Sequence, residues 1–371
     1  MKKSLISVAL VLSFASALFG FEWGGMIDNA TVAQTSDFKD VSLIQSNGIH
    51  LNLTSSLNKD KTLRFATEAM YKYNLNIEDK EGTLTNIVDL SLLKLSGNWN
   101  INGASLSMNL GRFNYSDKTG FAFGQTSDGL NVNYVSRNWS VGAYAGYTGL
   151  VNRFTTPMTD QLEEQKMAQL YDLSYGYVPL MIDFTLTNVG GNVIGIQGEY
   201  FLDITNKKDK AYGSLFVKGP LGSVGTYYAA ATVGTNKFND IMLRANMNFQ
   251  FVFGNSLMLG IGADYSSGNS TLAPFTSITL RPLHFMIDGI DGIIPRLSLT
   301  YAIDNFVVAV TEKVVMTIPS SFELNGVDSN VSLVYNLFSD LQLGTSINAY
   351  TDFGSKDNNK FNVSVNAGFT F

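Results

Sequence analysis

Apolar and polar residues alternate along most of this chain, and the last eleven residues give the clearest example. In segment 361–371 the odd-numbered positions are apolar: Phe361, Val363, Val365, Ala367, Phe369 and Phe371. The even-numbered positions hold small or polar residues: Asn362, Ser364, Asn366, Gly368 and Thr370. Because successive side chains of a β-strand point to opposite faces, this segment predicts a strand with one apolar and one polar face.

The same alternation, interrupted by turn residues, predicts about eighteen strands. They lie near 21–34, 41–54, 62–78, 83–96, 102–114, 127–137, 139–151, 176–188, 192–204, 211–219, 223–235, 240–253, 257–266, 294–303, 306–315, 328–337, 341–351 and 360–371. Most have about ten residues, the length with which a tilted strand crosses a membrane. We therefore expect an all-β fold, an antiparallel up-and-down transmembrane β-barrel of about 16 to 18 strands.

The connections between these strands alternate in length. Those after even-numbered strands are mostly tight and rich in Gly, Asn and Asp, which supply the positive φ of hairpin turns. Those after odd-numbered strands are often longer, as at 115–126, 152–175, 267–293 and 316–327. A water-soluble sandwich also alternates but needs no such asymmetry. Long external loops opposite short periplasmic turns are typical of outer-membrane barrels.

The two ends of the chain agree with export to the outer membrane. Lys2 and Lys3, the apolar run 5–18 and the small residues at 16–20 predict a signal peptide over 1–20 and a barrel domain over 21–371. Loss of the two lysines changes the formal charge from −6 to −8. The final strand resembles the terminal strand of bacterial outer-membrane barrels. That resemblance implies that the assembly machinery binds it through Phe371.

Composition excludes several classes of function. The chain has no Cys, so an exported fold does not depend on disulfide bonds. Its acidic balance argues against nucleic acid as a partner. Only His50 and His284 are available for histidine-dependent chemistry, and no spacing indicates a metal site or a phosphate loop. We expect neither enzymatic activity nor a cofactor.

Polar inner faces of the predicted strands supply candidate pore-lining residues of both charges. They are Arg64, Glu68, Lys72, Asp183, Glu199, Asp203, Arg244 and Asp264. The loop 152–175 contains a run of helix formers and is the first candidate constriction. If it folds into the barrel, its acidic residues favour cations: Asp160, Glu163 and Glu164. A short helix on the outer surface is the alternative, and loop 267–293 is the second candidate constriction.

A short motif adds two further candidates. Leu110-Gly-Arg112, followed by Ser127-Asp128-Gly, resembles a pattern of porins and alginate-export-type barrels. The resemblance implies that Arg112 and Asp128 lie near the pore mouth and flank the loop 115–126. From Phe21 onward the chain is also similar in style to spirochaetal outer-membrane barrels.

The expected protein is a porin-like channel of the bacterial outer membrane for passive diffusion of small hydrophilic solutes. Its expected partners are outer-membrane lipid, the assembly machinery and those solutes, and a homo-oligomer stays open. One alternative is a substrate-specific transporter for an oligosaccharide or a hydrophobic ligand. The other is a non-conducting barrel whose loops bind partners at the cell surface.

Overall fold

The computed structural model describes residues 21–36, 40–78, 81–148, 177–204, 207, 209–236, 240–267, 291–318, 323–355 and 358–371. The predicted signal peptide, all of the predicted loop 152–175 and most of the loop 267–293 lie outside these ranges.

Eighteen antiparallel strands form one closed sheet. They are β1 Glu22–Ser36, β2 Asp40–Ser56, β3 Leu63–Glu78, β4 Glu81–Ile101, β5 Ala104–Ser116, β6 Gly124–Val135, β7 Trp139–Tyr147, β8 Tyr177–Val189, β9 Asn192–Asp203, β10 Lys210–Leu221, β11 Gly225–Asn236, β12 Asp240–Phe253, β13 Leu257–Ser267, β14 Asp291–Ile303, β15 Phe306–Thr317, β16 Glu323–Asn336, β17 Leu341–Asp352 and β18 Lys360–Thr370. Each strand pairs with its neighbours in sequence, and β1 also pairs with β18. The predicted barrel of eighteen strands is confirmed.

Tight hairpins join the strands at one end of the barrel. Asn102 and Gly103, with φ of 52° and 83°, connect β4 to β5. Gly190 and Gly191, with φ of 60° and 84°, connect β8 to β9. Positive φ at both central residues gives a turn whose twist matches that of the flanking strands. These hairpins agree with the short turns predicted after even-numbered strands.

Each strand turns one side chain outward and the next inward. On β8, Leu180 and Ile182 face outward and are 44% and 62% exposed, whereas Met181 and Asp183 face inward and are buried. Aromatic residues collect on the outer wall near the hairpin end, where Phe306 stacks on a cross-strand tyrosine with ring centroids 4.3 Å apart. An apolar wall with an aromatic girdle is typical of a barrel that contacts lipid. Among the described residues, no helix combines the length and the apolar character needed to cross a bilayer.

Candidate pore constriction

The connection between β5 and β6, residues 117–123, folds into the barrel, and we call it the inward loop. Its three residues Phe121, Ala122 and Phe123 are 6%, 0% and 0% exposed. The Phe123 ring lies 5.9 Å from that of Phe201 on β9. The Phe121 ring meets that of Tyr212 on β10 edge to face at 6.3 Å. This loop therefore packs against strands on the far side of the lumen.

Asp117 holds the inward loop in a closed turn. Its Oδ1 accepts a hydrogen bond from the backbone N–H of Phe123 at 3.1 Å. Its Oδ2 accepts from the backbone N–H groups of Thr119 and Phe121, at 3.2 and 3.1 Å, and from the Thr119 hydroxyl. The backbone N–H of Asp117 in turn donates to the Phe123 carbonyl at 2.8 Å. One carboxylate thus satisfies three amide groups that the loop takes out of water.

Burial raises the pKa of Asp117 above its ordinary value, and the hydrogen bonds from Thr119, Phe123 and Phe121 lower it only in part. A carboxyl group whose pKa is raised on folding stabilises the folded state most below its unfolded pKa, and that contribution is lost as the pH rises through the folded pKa. The turn is therefore favoured on the acidic side of that range.

The tip of the inward loop is attached to the opposite wall by polar contacts. The backbone N–H of Lys118 donates to Oε1 of Gln197 on β9 at 2.7 Å, and its Nζ lies 3.4 Å from Oδ1 of Asp183 on β8. The guanidinium of Arg244 on β12 lies over the Phe121 ring, 4.2 Å from its centroid. Because β12 is seven places from β5 in a ring of eighteen strands, the inward loop crosses the lumen.

Aromatic and acidic groups fill the space beneath the inward loop. Tyr115 stacks on Tyr144 with ring centroids 4.0 Å apart, and the Tyr144 hydroxyl is hydrogen-bonded to Ser127. Glu199 is only 4% exposed, and among the described residues neither of its carboxylate oxygens has a hydrogen-bond partner. This side of the lumen is filled.

Open space remains between the inward loop and the wall formed by β11 to β14. It is a cavity of about 160 Å³. Its polar lining residues are Thr119, Thr232, Arg244, Asn246, Asp264 and Arg296. Nη1 of Arg296 lies 3.8 Å from Oδ2 of Asp264, which is longer than a hydrogen bond. A solute that passes here meets two guanidinium groups and one carboxylate.

A second polar group lies on the lumen face of β1 to β4. His50 places Nε2 at 2.9 Å from Oδ1 of Asp28 and Nδ1 at 3.3 Å from Oε1 of Glu68. The Ser91 hydroxyl donates to the same Glu68 oxygen. These side chains satisfy one another across four strands. Within the described part of the chain, no three histidine or acidic side chains are arranged as a metal site.

Arg112 and Asp128 lie next to each other at the base of the inward loop. Nε and Nη2 of Arg112 donate to the two carboxylate oxygens of Asp128 at 3.0 and 2.7 Å. Nη1 donates to the Leu90 carbonyl at 3.3 Å and lies 3.6 Å from Oδ1 of Asp89. Gly111, with φ of 115°, distorts β5 here, and Arg112 is 4% exposed. A bidentate ion pair at this place ties the two strands that carry the inward loop.

The other predicted residues fall into two groups. On the inner face lie Arg64, Glu68, Lys72, Asp183, Glu199, Asp203, Arg244 and Asp264. The predicted acidic constriction, Asp160, Glu163 and Glu164, lies outside the described residues. Of the inner-face group, Asp183 contacts the inward loop and Arg244 and Asp264 line the cavity, whereas Glu68 belongs to the His50 group.

Sequence reasoning missed the inward loop as a constriction. Its neighbours along the chain gave one signal, the apolar triplet 121–123 within a connection predicted to be external. Its contacts gave none, because Lys118 and Gln197 are 79 positions apart.

Searches by sequence found no matching family model and no matching curated protein. Solved structures are similar in fold. Pseudomonas aeruginosa OpdK with vanillate has a TM-score of 0.64 at 10% identity, and the match covers 95% of this chain and 98% of that one. Acinetobacter baumannii OccAB4 has a TM-score of 0.62 at 13% identity, with the same coverage.

A third similar structure is that of Pseudomonas aeruginosa OccK2 (OpdF) in complex with glucuronate. Its TM-score is 0.61 at 12% identity, and the match covers 95% of this chain and 98% of that one. Nearly the whole length of both chains is superimposed in each of the three cases. This protein therefore has the barrel fold of these Pseudomonas and Acinetobacter proteins, and the predicted porin-type architecture is confirmed.

Proposed function

We propose that this protein is a channel of the bacterial outer membrane through which small hydrophilic solutes diffuse passively. The inward loop carries the proposal, because it narrows the lumen and leaves a polar passage beside Arg244 and Arg296. A barrel of eighteen strands is too wide for side chains to fill and encloses water. Its apolar outer wall suits lipid. We also propose that residues 1–20 direct export and are removed.

The passage has a preferred charge. Two guanidinium groups, Arg244 and Arg296, face it against the one carboxylate of Asp264. Charged side chains that line a pore select ions of opposite sign. Planar guanidinium groups also suit carboxylates, which they bind with paired hydrogen bonds. Two proteins of the same fold were solved with the carboxylates vanillate and glucuronate. We therefore infer that small anions, carboxylates among them, pass more readily than cations.

Single-channel recording in planar bilayers tests this function. The refolded protein should give a steady conductance, and its reversal potential in a salt gradient should indicate a preference for anions. The double variant Arg244→Gln, Arg296→Gln should shift that potential toward cations, because it removes both positive charges from the passage. Lys218→Gln is the matched control. It removes a positive charge from the inner face of β10, away from the inward loop, and should shift the potential less.

The outcomes separate two claims. A correctly folded barrel without steady conductance contradicts the channel itself. A conducting barrel that prefers cations contradicts only the anion preference. If neutralising Glu163 and Glu164 then abolishes the cation preference, the loop 152–175 contributes to the passage as the sequence predicts.

A further inference from the structure

Two asparagines point outward from the middle of the wall. Asn29 on β1 and Asn47 on β2 are directly paired, next to the outward pair Ile27 and Ile49. Nδ2 of Asn29 donates to Oδ1 of Asn47 at 2.6 Å. That bond uses one amide hydrogen of Asn29 and none of Asn47. We call Asn29 and Asn47 the amide patch.

An acidic residue points outward from the same part of the barrel. Glu312 on β15 pairs with Ser329 on β16 and with Leu297 on β14. The Ser329 hydroxyl donates to Oε2 of Glu312 at 2.6 Å. A carboxylate can accept about four hydrogen bonds, so most of its capacity is left over. We call Glu312 and Ser329 the acidic patch.

The rest of the wall is different. In the described parts of β7 to β14 the outward positions at mid-strand carry apolar residues or glycine, such as Ile182, Ile196 and Ile261. The outward positions of Arg112 and Asp128 lie near the upper ends of β5 and β6, and these two side chains pair with each other. Polar groups without full partners are thus confined to the eight adjacent strands β15 to β18 and β1 to β4.

Lipid cannot satisfy these groups. The hydrocarbon layer offers no hydrogen bonds, and carboxylates or amides that face it are destabilised. Both patches lie at the same depth. Asn29 is the eighth residue of β1 and Glu312 the seventh of β15, each counted from the hairpin end. Ionisable residues at this depth usually face protein or a water-filled space.

We propose that the wall from β15 through β18 to β4 contacts further copies of this chain in a closed ring. This inference rests on the proposed location in the outer membrane. The amide patch of one copy donates hydrogen bonds to the acidic patch of the next, which accepts them. Such head-to-tail contacts close into a ring when the rotation between copies allows it.

The spacing of the patches fits a small ring. Their centres are four strands apart in a wall of eighteen, which is about 80° at 20° per strand. Neighbour directions differ by about 60° in a trimer and about 90° in a tetramer. Eight strands about 4.8 Å apart over an apolar height of about 25 Å present roughly 960 Å² per copy. Stable complexes bury about 800 Å² per partner.

The wall also has a recess for side chains of the partner. A groove of about 450 Å³ lies at the amide patch, with Tyr71, Tyr73 and Phe369 at its edges and Ala367 beside Asn29. The other large outer groove, at β10 to β13, is floored by alanines and holds no outward charge. Shape and hydrogen-bonding capacity therefore occur together only on the proposed wall.

Disulfide crosslinking in isolated outer membranes tests the ring. The chain has no Cys, so introduced thiols are the only ones. Oxidation of the double variant Asn47→Cys, Glu312→Cys should give disulfide-linked dimers and higher species. The matched control is Ile196→Cys, Ile261→Cys, two outward positions that are likewise four strands apart. It should stay monomeric. Monomers alone in both variants, or equal crosslinking in both, would overturn the proposal.

A steric variant gives an independent measurement. Ala367→Trp places a large side chain beside the amide patch and should convert the detergent-extracted complex to single chains. Ala231→Trp, on the outer face of β11, should leave its mass unchanged. Bilayer recording of the same samples separates the two proposals. A monomeric wild type that conducts contradicts the ring alone, and a ring that does not conduct contradicts the channel alone.

Discussion

At the scale of single residues, Asp117 decides the shape of the lumen. Its two carboxylate oxygens accept hydrogen bonds from Thr119, Phe121 and Phe123, so the inward loop turns back on itself within seven residues. No feature of the sequence marks this aspartate, because Asp-Lys-Thr-Gly is an ordinary turn composition at any surface. Its role depends on burial that only the folded barrel provides.

We expect Asp117→Ala to loosen the inward loop without unfolding the barrel. Three amide groups lose their acceptor, and each buried donor left unsatisfied costs about 1 to 3 kcal/mol. Single-channel conductance should rise and fluctuate more, while the melting of the β-sheet signal in circular dichroism should change little. Asp117→Asn keeps one carbonyl acceptor and should lie between the wild type and Asp117→Ala. Equal traces for all three proteins would contradict this role.

At the scale of elements, strands and the inward loop differ in how far sequence predicts them. The strands were predictable because period-two alternation is local, and each hairpin is closed by its own turn residues. The inward loop depends on side chains from β8, β9, β10 and β12. Its one local sign, Phe121 and Phe123 in a loop, has two explanations from sequence alone: an exposed binding loop or a buried one.

The charged sites divide in the same way. Alternation placed Arg244 and Asp264 on the inner face, because a strand fixes the direction of every side chain. Their meeting with Thr119 across the lumen is a property of the closed ring. The motif with Arg112 and Asp128 was noticed in sequence, yet the ion pair between them depends on the register of β5 with β6.

Phe121→Ala tests the attachment of the inward loop at its tip. The change removes the ring that contacts Arg244 and Tyr212, and loss of a buried phenylalanine costs about 3 to 5 kcal/mol of packing. We expect a larger conductance than in the wild type. Phe184→Ala, which deletes a ring from the outer face of β8, should leave the conductance unchanged. A similar increase in both variants would point to a general effect on the barrel.

At the scale of the whole molecule, stability depends on closing the sheet between β1 and β18. Eleven residue pairs join these strands. The final residue continues the contact, because Gly25 and Phe371 exchange backbone hydrogen bonds of 2.9 and 3.0 Å. A β-carbon at Gly25 would come within 2.5 Å of the Phe371 ring and 2.6 Å of the His50 carbonyl. Closure therefore needs glycine here.

Gly25→Val should weaken that closure. The added side chain forces Phe371 and the β2 backbone apart, so the folded form should be lost at a lower temperature. The shift from folded to unfolded mobility in SDS gels after stepwise heating measures this temperature. Gly213→Val is the matched control, since a β-carbon at Gly213 on β10 meets nothing within 4 Å. Equal heat resistance of both variants would show that closure tolerates the side chain.

The inward loop has a mechanical consequence. A hollow cylinder of eighteen strands is most easily deformed by flattening across a diameter, because this bends the sheet without breaking its hydrogen bonds. The inward loop starts from β5 and β6 and is fastened through Lys118 and Phe121 to β8 and β12. It acts as a strut between two sides of the cylinder. Lateral pressure from the surrounding membrane is thus resisted along the direction in which the passage is narrowest.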